Sequence, residues 1–245
     1  MNGLFSGLPA AITPLAVRIT PLGVVATLLA IDLVFAFLYV FGGLYALYGA
    51  HGVPELLHIG SPVSLAAPYM YAKFAVAAFI LRQAGRRWRA RWTLPLAVAC
   101  FVLFVDDAFE IHEELGGVIA RVLDYGPILN LREKDGGELT MMVVMAAIVF
   151  SATALAWLRA PAPSRRYPTV FAVLFVTLGL VGGVADMLGI MARGLPFYDV
   201  KVGAATTLFE DGGEMVVATL IVGFAVLTAA ALARDGTQGR PPVRA

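Results

Sequence analysis

The chain has 245 residues, 60% of them hydrophobic and only 14% charged, with a net charge of +1 and a mean hydropathy of +0.82. A water-soluble domain of that size needs far more charge to cover its surface, so the composition points to a lipid bilayer as solvent. The absence of a basic or aromatic-interleaved surface excludes nucleic acid as a partner, and the single cysteine, Cys100, excludes disulfides and cysteine-based zinc sites.

In chain order, residues 1–21 do not read as a cleavable signal. Pro9, Pro14 and Pro21 interrupt them and Arg18 precedes the first long apolar run, so an interfacial segment is expected. Six runs then approach the roughly 20 apolar residues that a spanning helix needs. They cover about 22–49, 64–83, 93–120, 138–158, 168–192 and 208–232. The expected fold is therefore all-α: a polytopic transmembrane bundle over 22–232 and a tail over 233–245. Arginines crowd the 82–91 loop (Arg82, Arg86, Arg87, Arg89, Arg91), the 159–166 loop (Arg159, Arg165, Arg166) and the tail (Arg234, Arg240, Arg244). By the positive-inside rule both termini face the cytoplasm of a bacterial inner membrane, with Trp88, Trp92 and Trp157 as interfacial anchors.

The third run has a clean apolar stretch only from Thr93 to Val105. That is roughly 20 Å of helix, short of a hydrocarbon core of about 30 Å. A helix continuing through Asp106, Asp107, Glu110, His112, Glu113 and Glu114 carries its acids into the outer third of the membrane. Intramembrane carboxylates usually face a bundle interior. On one ideal helix Asp106, Glu110 and Glu113 lie within about 60° of one another. Asp107 and Glu114 flank that stripe, and His112 points away as a contact beside the site or a ligand.

Further acids fall at the same level: Glu138 in Asp135-Gly-Gly-Glu138, Asp186, and Glu210 and Glu214 in Glu210-Asp211-Gly-Gly-Glu214. The Asp-Gly-Gly-Glu element occurs twice, each time after a Gly-Gly-Val (116–118 and 182–184), which suggests two related hairpins. Inward carboxylates on four helices are the pattern of di-metal bundles. Asp106, Glu110, Glu113, Glu138, Asp186, Glu210, Glu214 and His112 are thus the candidate metal ligands, for iron, manganese or zinc, with copper or calcium less suited. The competing reading makes Glu138 and Glu214 capping-box residues at helix starts.

Asp32 and Lys73 fall near the midplane, either as a buried ion pair linking the first two spans or as a relay step. Met141, Met142 and Met145 share the face of Glu138, and Met187, Met191 and Met215 lie close to other acids. These six read as packing, or as soft copper ligands.

The Asp106-Asp107-x-Phe109-x-x-His112-Glu113 helix and the Phe209-Glu210 pair resemble multi-pass bacterial membrane proteins of uncharacterised activity. The resemblance implies a site at these acids and no particular chemistry. No P-loop, nucleophile elbow or dinucleotide fingerprint occurs. Three readings stay open. The first is a metal-binding membrane protein that oxidises a lipid-soluble substrate or hydrolyses with metal assistance. The second is a divalent-cation or proton-coupled transporter, and the third is a structural or assembly subunit, alone as a homo-oligomer or in a larger membrane complex. Few polar groups lie below Asp106 in spans three to six, which favours a fixed site over a pathway.

Overall fold

The computed structural model describes residues 20–48, 54–126, 131–193, 195–196 and 198–238. The expected interfacial segment, apart from its last two residues, and the end of the tail lie outside them. Among the described residues eight α-helices follow one another: α1 (Pro21–Tyr48), α2 (Ala66–Trp88), α3 (Thr93–Phe109), α4 (Ile111–Val122), α5 (Glu133–Arg159), α6 (Arg166–Gly179), α7 (Ala185–Ala192) and α8 (Val200–Gln238). No β-strand forms among the described residues.

Among the described residues four helical stretches are long and apolar enough to cross a membrane: Pro21–Gly43, Glu133–Arg159, Ala162–Ala192 and Val200–Asp235. The expected second and third spans do not reach that mark. Lys73, Arg82, Arg86 and Arg87 lower the hydropathy of α2, and α3 has only 17 residues.

The core runs through Phe74 and Leu81 of α2, Leu96 and Cys100 of α3, Phe171 of α6 and Ile221 of α8, all essentially inaccessible. Around it α8 is central, packing against α1, α2, α6 and α7. Just over half of its spanning window is buried (56%), against 11% for α1. The outward faces are apolar instead of charged: Leu33, Phe37 and Phe41 on α1 and Val143 on α5 are more than half exposed. A continuous apolar exterior of this kind belongs against lipid or another protein.

Two boundaries depart from the expected ones in ways that matter for the site. The helix entering at Thr93 does not continue to residue 120. Glu110 adopts a left-handed conformation (φ 50°), ending α3 at Phe109 and starting α4 at Ile111. The cause is a local competition. The Asp106 carboxylate accepts the His112 amide N–H at 2.9 Å, so it serves the first turn of α4. The single stripe of Asp106, Glu110 and Glu113 is therefore not formed.

The last helix begins not near residue 208 but at Val200. The Asp199 carboxylate accepts the N–H groups of Lys201 and Val202, both at 2.9 Å, which is an N-cap.

Candidate functional site

The acids meet at the end of the bundle where α3 and α7 finish and α5 and α8 begin. They fall into three groups. At the α3–α4 junction Asp106 is buried, with His112 Nδ1 3.2 Å from its Oδ2 but out of line for a hydrogen bond. At the α4–α5 contact, Lys134 Nζ lies 3.1 Å from Glu113 and 2.8 Å from Glu138. One lysine thus bridges both. Asp135 is fully buried and belongs to the cap of α5, where its carboxylate accepts the Arg132 backbone N–H (2.7 Å) and the Arg132 guanidinium (2.7 Å).

The third group lies between α3, α7 and α8. Asp107, Asp211, Glu210 and Asp186 all act electrostatically on Glu214. Asp186 and Asp211 likewise act on Glu210. Asp107, expected only to flank the stripe, is therefore part of this group. Among the described residues none of these five carboxylates has a lysine or arginine within salt-bridge distance. Arg193, at the end of α7, is the cation whose field reaches Asp186 and Glu210. Glu110, at the helix break, and Glu114, exposed on α4, belong to none of the three groups.

The capping reading of Glu138 and Glu214 is overturned. Arg132 and Asp135 form the cap of α5, leaving Glu138 inside the helix. The second Asp-Gly-Gly-Glu sits well inside α8, where no helix starts. The repeat nonetheless has a structural counterpart. A Cβ on Gly116, the first glycine of one Gly-Gly-Val, would run into Glu138. A Cβ on Gly182, the first glycine of the other, would run into the Glu214 carboxylate. Each motif thus uses a glycine to let the glutamate-bearing helix approach. Around Gly182 the backbone widens into a π-turn, Leu180–Val184, joining α6 to α7. Such turns are frequent at functional sites.

One residue distinguishes the two copies, and the sequence shows it plainly once they are aligned. The first reads Lys134-Asp-Gly-Gly-Glu138 and the second Glu210-Asp-Gly-Gly-Glu214. Four residues before the glutamate, one face of helix carries a cation in the first and an acid in the second.

The methionines pack around these contacts. Met141, Met187 and Met215 are buried, and the Met142 sulfur lies beside Gly183. Among the described residues no three of His, Cys, Asp or Glu converge in a geometry that could hold a metal ion.

Deeper in the bundle, Asp32 and Lys73 pair as expected, at 2.5 Å, and both are buried. The sequence did not reveal a third partner. Lys73 also donates to the Met215 carbonyl at 2.9 Å, and Thr219 donates to the second Asp32 oxygen at 2.6 Å. The ammonium lies 4.2 Å from the centre of the Tyr69 ring. Both new partners are on α8. Asp211, Met215 and Thr219 follow at intervals of four, so they share one face of that helix. The stretch from Asp211 to Thr219 is about 12 Å long.

The family described as "Domain of unknown function (DUF8692)" matches residues 10–231. The chain belongs to this family. The match covers every acid of the three groups as well as Asp32 and Lys73. No curated protein matches the chain, and no solved structure does.

Proposed function

We propose that this chain is a six-span inner-membrane protein with both termini in the cytoplasm, working as a carrier that moves protons along a path of buried acids. α2 and α3–α4 supply the two further crossings. The arginine-rich end supports the orientation. There Arg165 stacks on Trp157 at 4.3 Å, Arg87 on Trp88 at 5.5 Å, and Trp92 on Tyr167 at 5.9 Å. Aromatic and basic residues of this kind gather at the cytoplasmic interface.

The observation that carries the reading is the unneutralised group around Glu214. Carboxylates that act on one another in a low-dielectric bundle stay ionised together only where protons or a cation compensate them. The α8 face gives them an inward continuation, from Asp211 past the Met215 carbonyl to Thr219, Asp32 and Lys73. Beyond that pair the core is closed by Phe74, Leu81, Ile221 and Ala225. A charge arriving at Asp32 reaches the cytoplasm only if helices move, which is the behaviour of a carrier and not of an open pore.

A bound divalent metal is the second reading: Asp186, Glu210, Asp211 and Glu214 act on one another, and a metal would have to draw them closer than they stand. Proteoliposomes under an imposed pH gradient test the first. Wild-type protein dissipates the gradient, Glu214→Gln does not, and Glu138→Gln, whose parent is already paired with Lys134, retains most of the rate. A rate in Glu214→Gln equal to wild type, with metal bound stoichiometrically to wild type alone, would establish the second reading instead.

A further inference from the structure

Between α1 and α2 the chain passes over the acid end of the bundle and lies on α8. Ile59 is only 6% exposed, buried in one apolar cluster with Tyr39 of α1, Ala66 of α2 and Met215 of α8, and Leu208 packs against that cluster. The next residue, Gly60, rests on Asp211. A Cβ there would run into the Asp211 carboxylate and stand 3.4 Å from the Thr207 methyl group. Residues 59 and 60 thus lie against Asp211 and Met215, the first two positions of the α8 face that leads inward to Thr219, Asp32 and Lys73.

Apolar contact holds the segment down. Its backbone hydrogen bonds close on itself: Leu57 donates to Pro54, His58 to Glu55, Ser61 to His58 and Ser64 to Ser61. Leu65 donates back to Leu56 at 3.1 Å, which joins the two ends of the loop. The Ser64 hydroxyl accepts the Ala67 N–H at 3.2 Å and fixes the loop to the start of α2. Among the described residues no hydrogen bond ties it to α1 or α8. A loop with joined ends, packed by its own side chains, can lift off α8 as a unit without breaking a hydrogen bond. His58 adds a bias towards lifting. Its ring meets Tyr39 edge-on at 5.1 Å, and its Nδ1 is buried with no hydrogen-bond partner among the described residues. Opening returns that nitrogen to water, which offsets part of the docking of Ile59.

We propose that residues 56–65 form a lid over Asp211 and Met215, closed in this structure, and that it lifts about its α2 end to open the outer end of the α8 face. Its use in transport rests on the carrier reading above. The covering of α8 does not, so the two are tested separately.

The first experiment uses the full-length chain in detergent with Thr207→Cys, placed under the lid, and follows its reaction with a maleimide. The same chain with Ile59→Ala should label about tenfold faster, because most of a buried isoleucine no longer holds the lid down. Cys100, in the core, should remain unlabelled in both, which shows that the fold has not opened. Equal labelling rates with and without Ile59→Ala overturn the lid. The second experiment needs no Ile59 variant. Gly60→Cys with Thr207→Cys brings two thiols within reach of a disulfide. In proteoliposomes under an imposed pH gradient the reduced protein should dissipate the gradient, the oxidised protein should not, and reductant should restore the rate. Turning the Asp211 carboxylate aside to admit the new Cβ is common to both forms, so the comparison isolates the lock. Failure of the disulfide to form, or an oxidised protein as fast as the reduced one, also overturns the lid. If the wild type moves no protons, the carrier reading fails, and the labelling rates alone decide whether the lid stands.

Discussion

Glu138 and Glu214 occupy equivalent places in a repeated motif yet have opposite surroundings, and the difference traces to the residue four positions earlier. Lys134 holds Glu138 at 2.8 Å, whereas Glu210 adds to the negative field at Glu214. Glu210→Lys should copy the first arrangement into the second. An exposed helical pair of this spacing contributes about 0.3–0.5 kcal/mol, and relief of repulsion in the buried group adds to it. We expect Glu210→Lys to melt at or above the wild-type temperature while losing proton transport. A clear drop in melting temperature would mean that Glu210 has a partner which the lysine displaces. The contrast was open to view in the sequence, since both pentapeptides are printed in it. The shared Asp-Gly-Gly-Glu does not by itself reveal it, because the deciding residue lies one position before the repeat.

Elements were legible where hydrophobicity alone decides them. The apolar runs of α1, α5, α6–α7 and the second half of α8 lie within a few residues of where composition places them. The misjudged boundaries are those set by polar side chains. Asp199 caps α8 although the residues that follow, Val200 to Thr207, form no apolar run. The break at Glu110 comes from Asp106 bonding the next helix, a choice that periodicity cannot register.

This break is testable. A left-handed residue other than glycine costs about 1–2 kcal/mol, so Glu110→Gly should stabilise the protein by up to about 1 kcal/mol after glycine's own entropy cost. Glu110→Val should destabilise it. Chemical denaturation of the two variants distinguishes a real junction from a continuous helix, in which the glycine would be the worse residue.

The π-turn gives a second test at this scale. Gly182→Ala pushes a methyl group into the Glu214 carboxylate and should cost about 1–3 kcal/mol. Removing that carboxylate in Glu214→Ala should return most of the loss when the two changes are combined. Additive effects in a double-mutant cycle would show that the two helices do not meet there.

At the scale of the whole molecule, topology comes first. Reporters that work only outside the cytoplasm should be active when fused at 121–126 and inactive when fused at 88–92 or after residue 235. The reverse pattern would place the acids at the cytoplasmic face. Next comes the Asp32–Lys73 pair, which ties α1, α2 and α8 together. Removing one member of a buried pair leaves an uncompensated charge and costs about 3–5 kcal/mol, whereas removing both costs far less. Asp32→Leu and Lys73→Leu should each lower the melting temperature strongly. The double variant should melt close to wild type.

The third partners of that pair, Thr219 and the Met215 carbonyl, could not be read from sequence, because nothing local says which helix lies across from Lys73. The spans bearing the acids looked empty of polar groups further in, but α8 borrows Asp32 and Lys73 from its neighbours.

The double variant also provides the most direct test of the central claim, that the acids and the buried pair form one path. In proteoliposomes with an imposed pH gradient, wild-type protein should dissipate the gradient. The well-folded Asp32→Leu, Lys73→Leu protein should do so no faster than empty vesicles. If the double variant moves protons at the wild-type rate, or if the wild type moves none, the pair is only a structural tie and the account of a path along α8 is wrong.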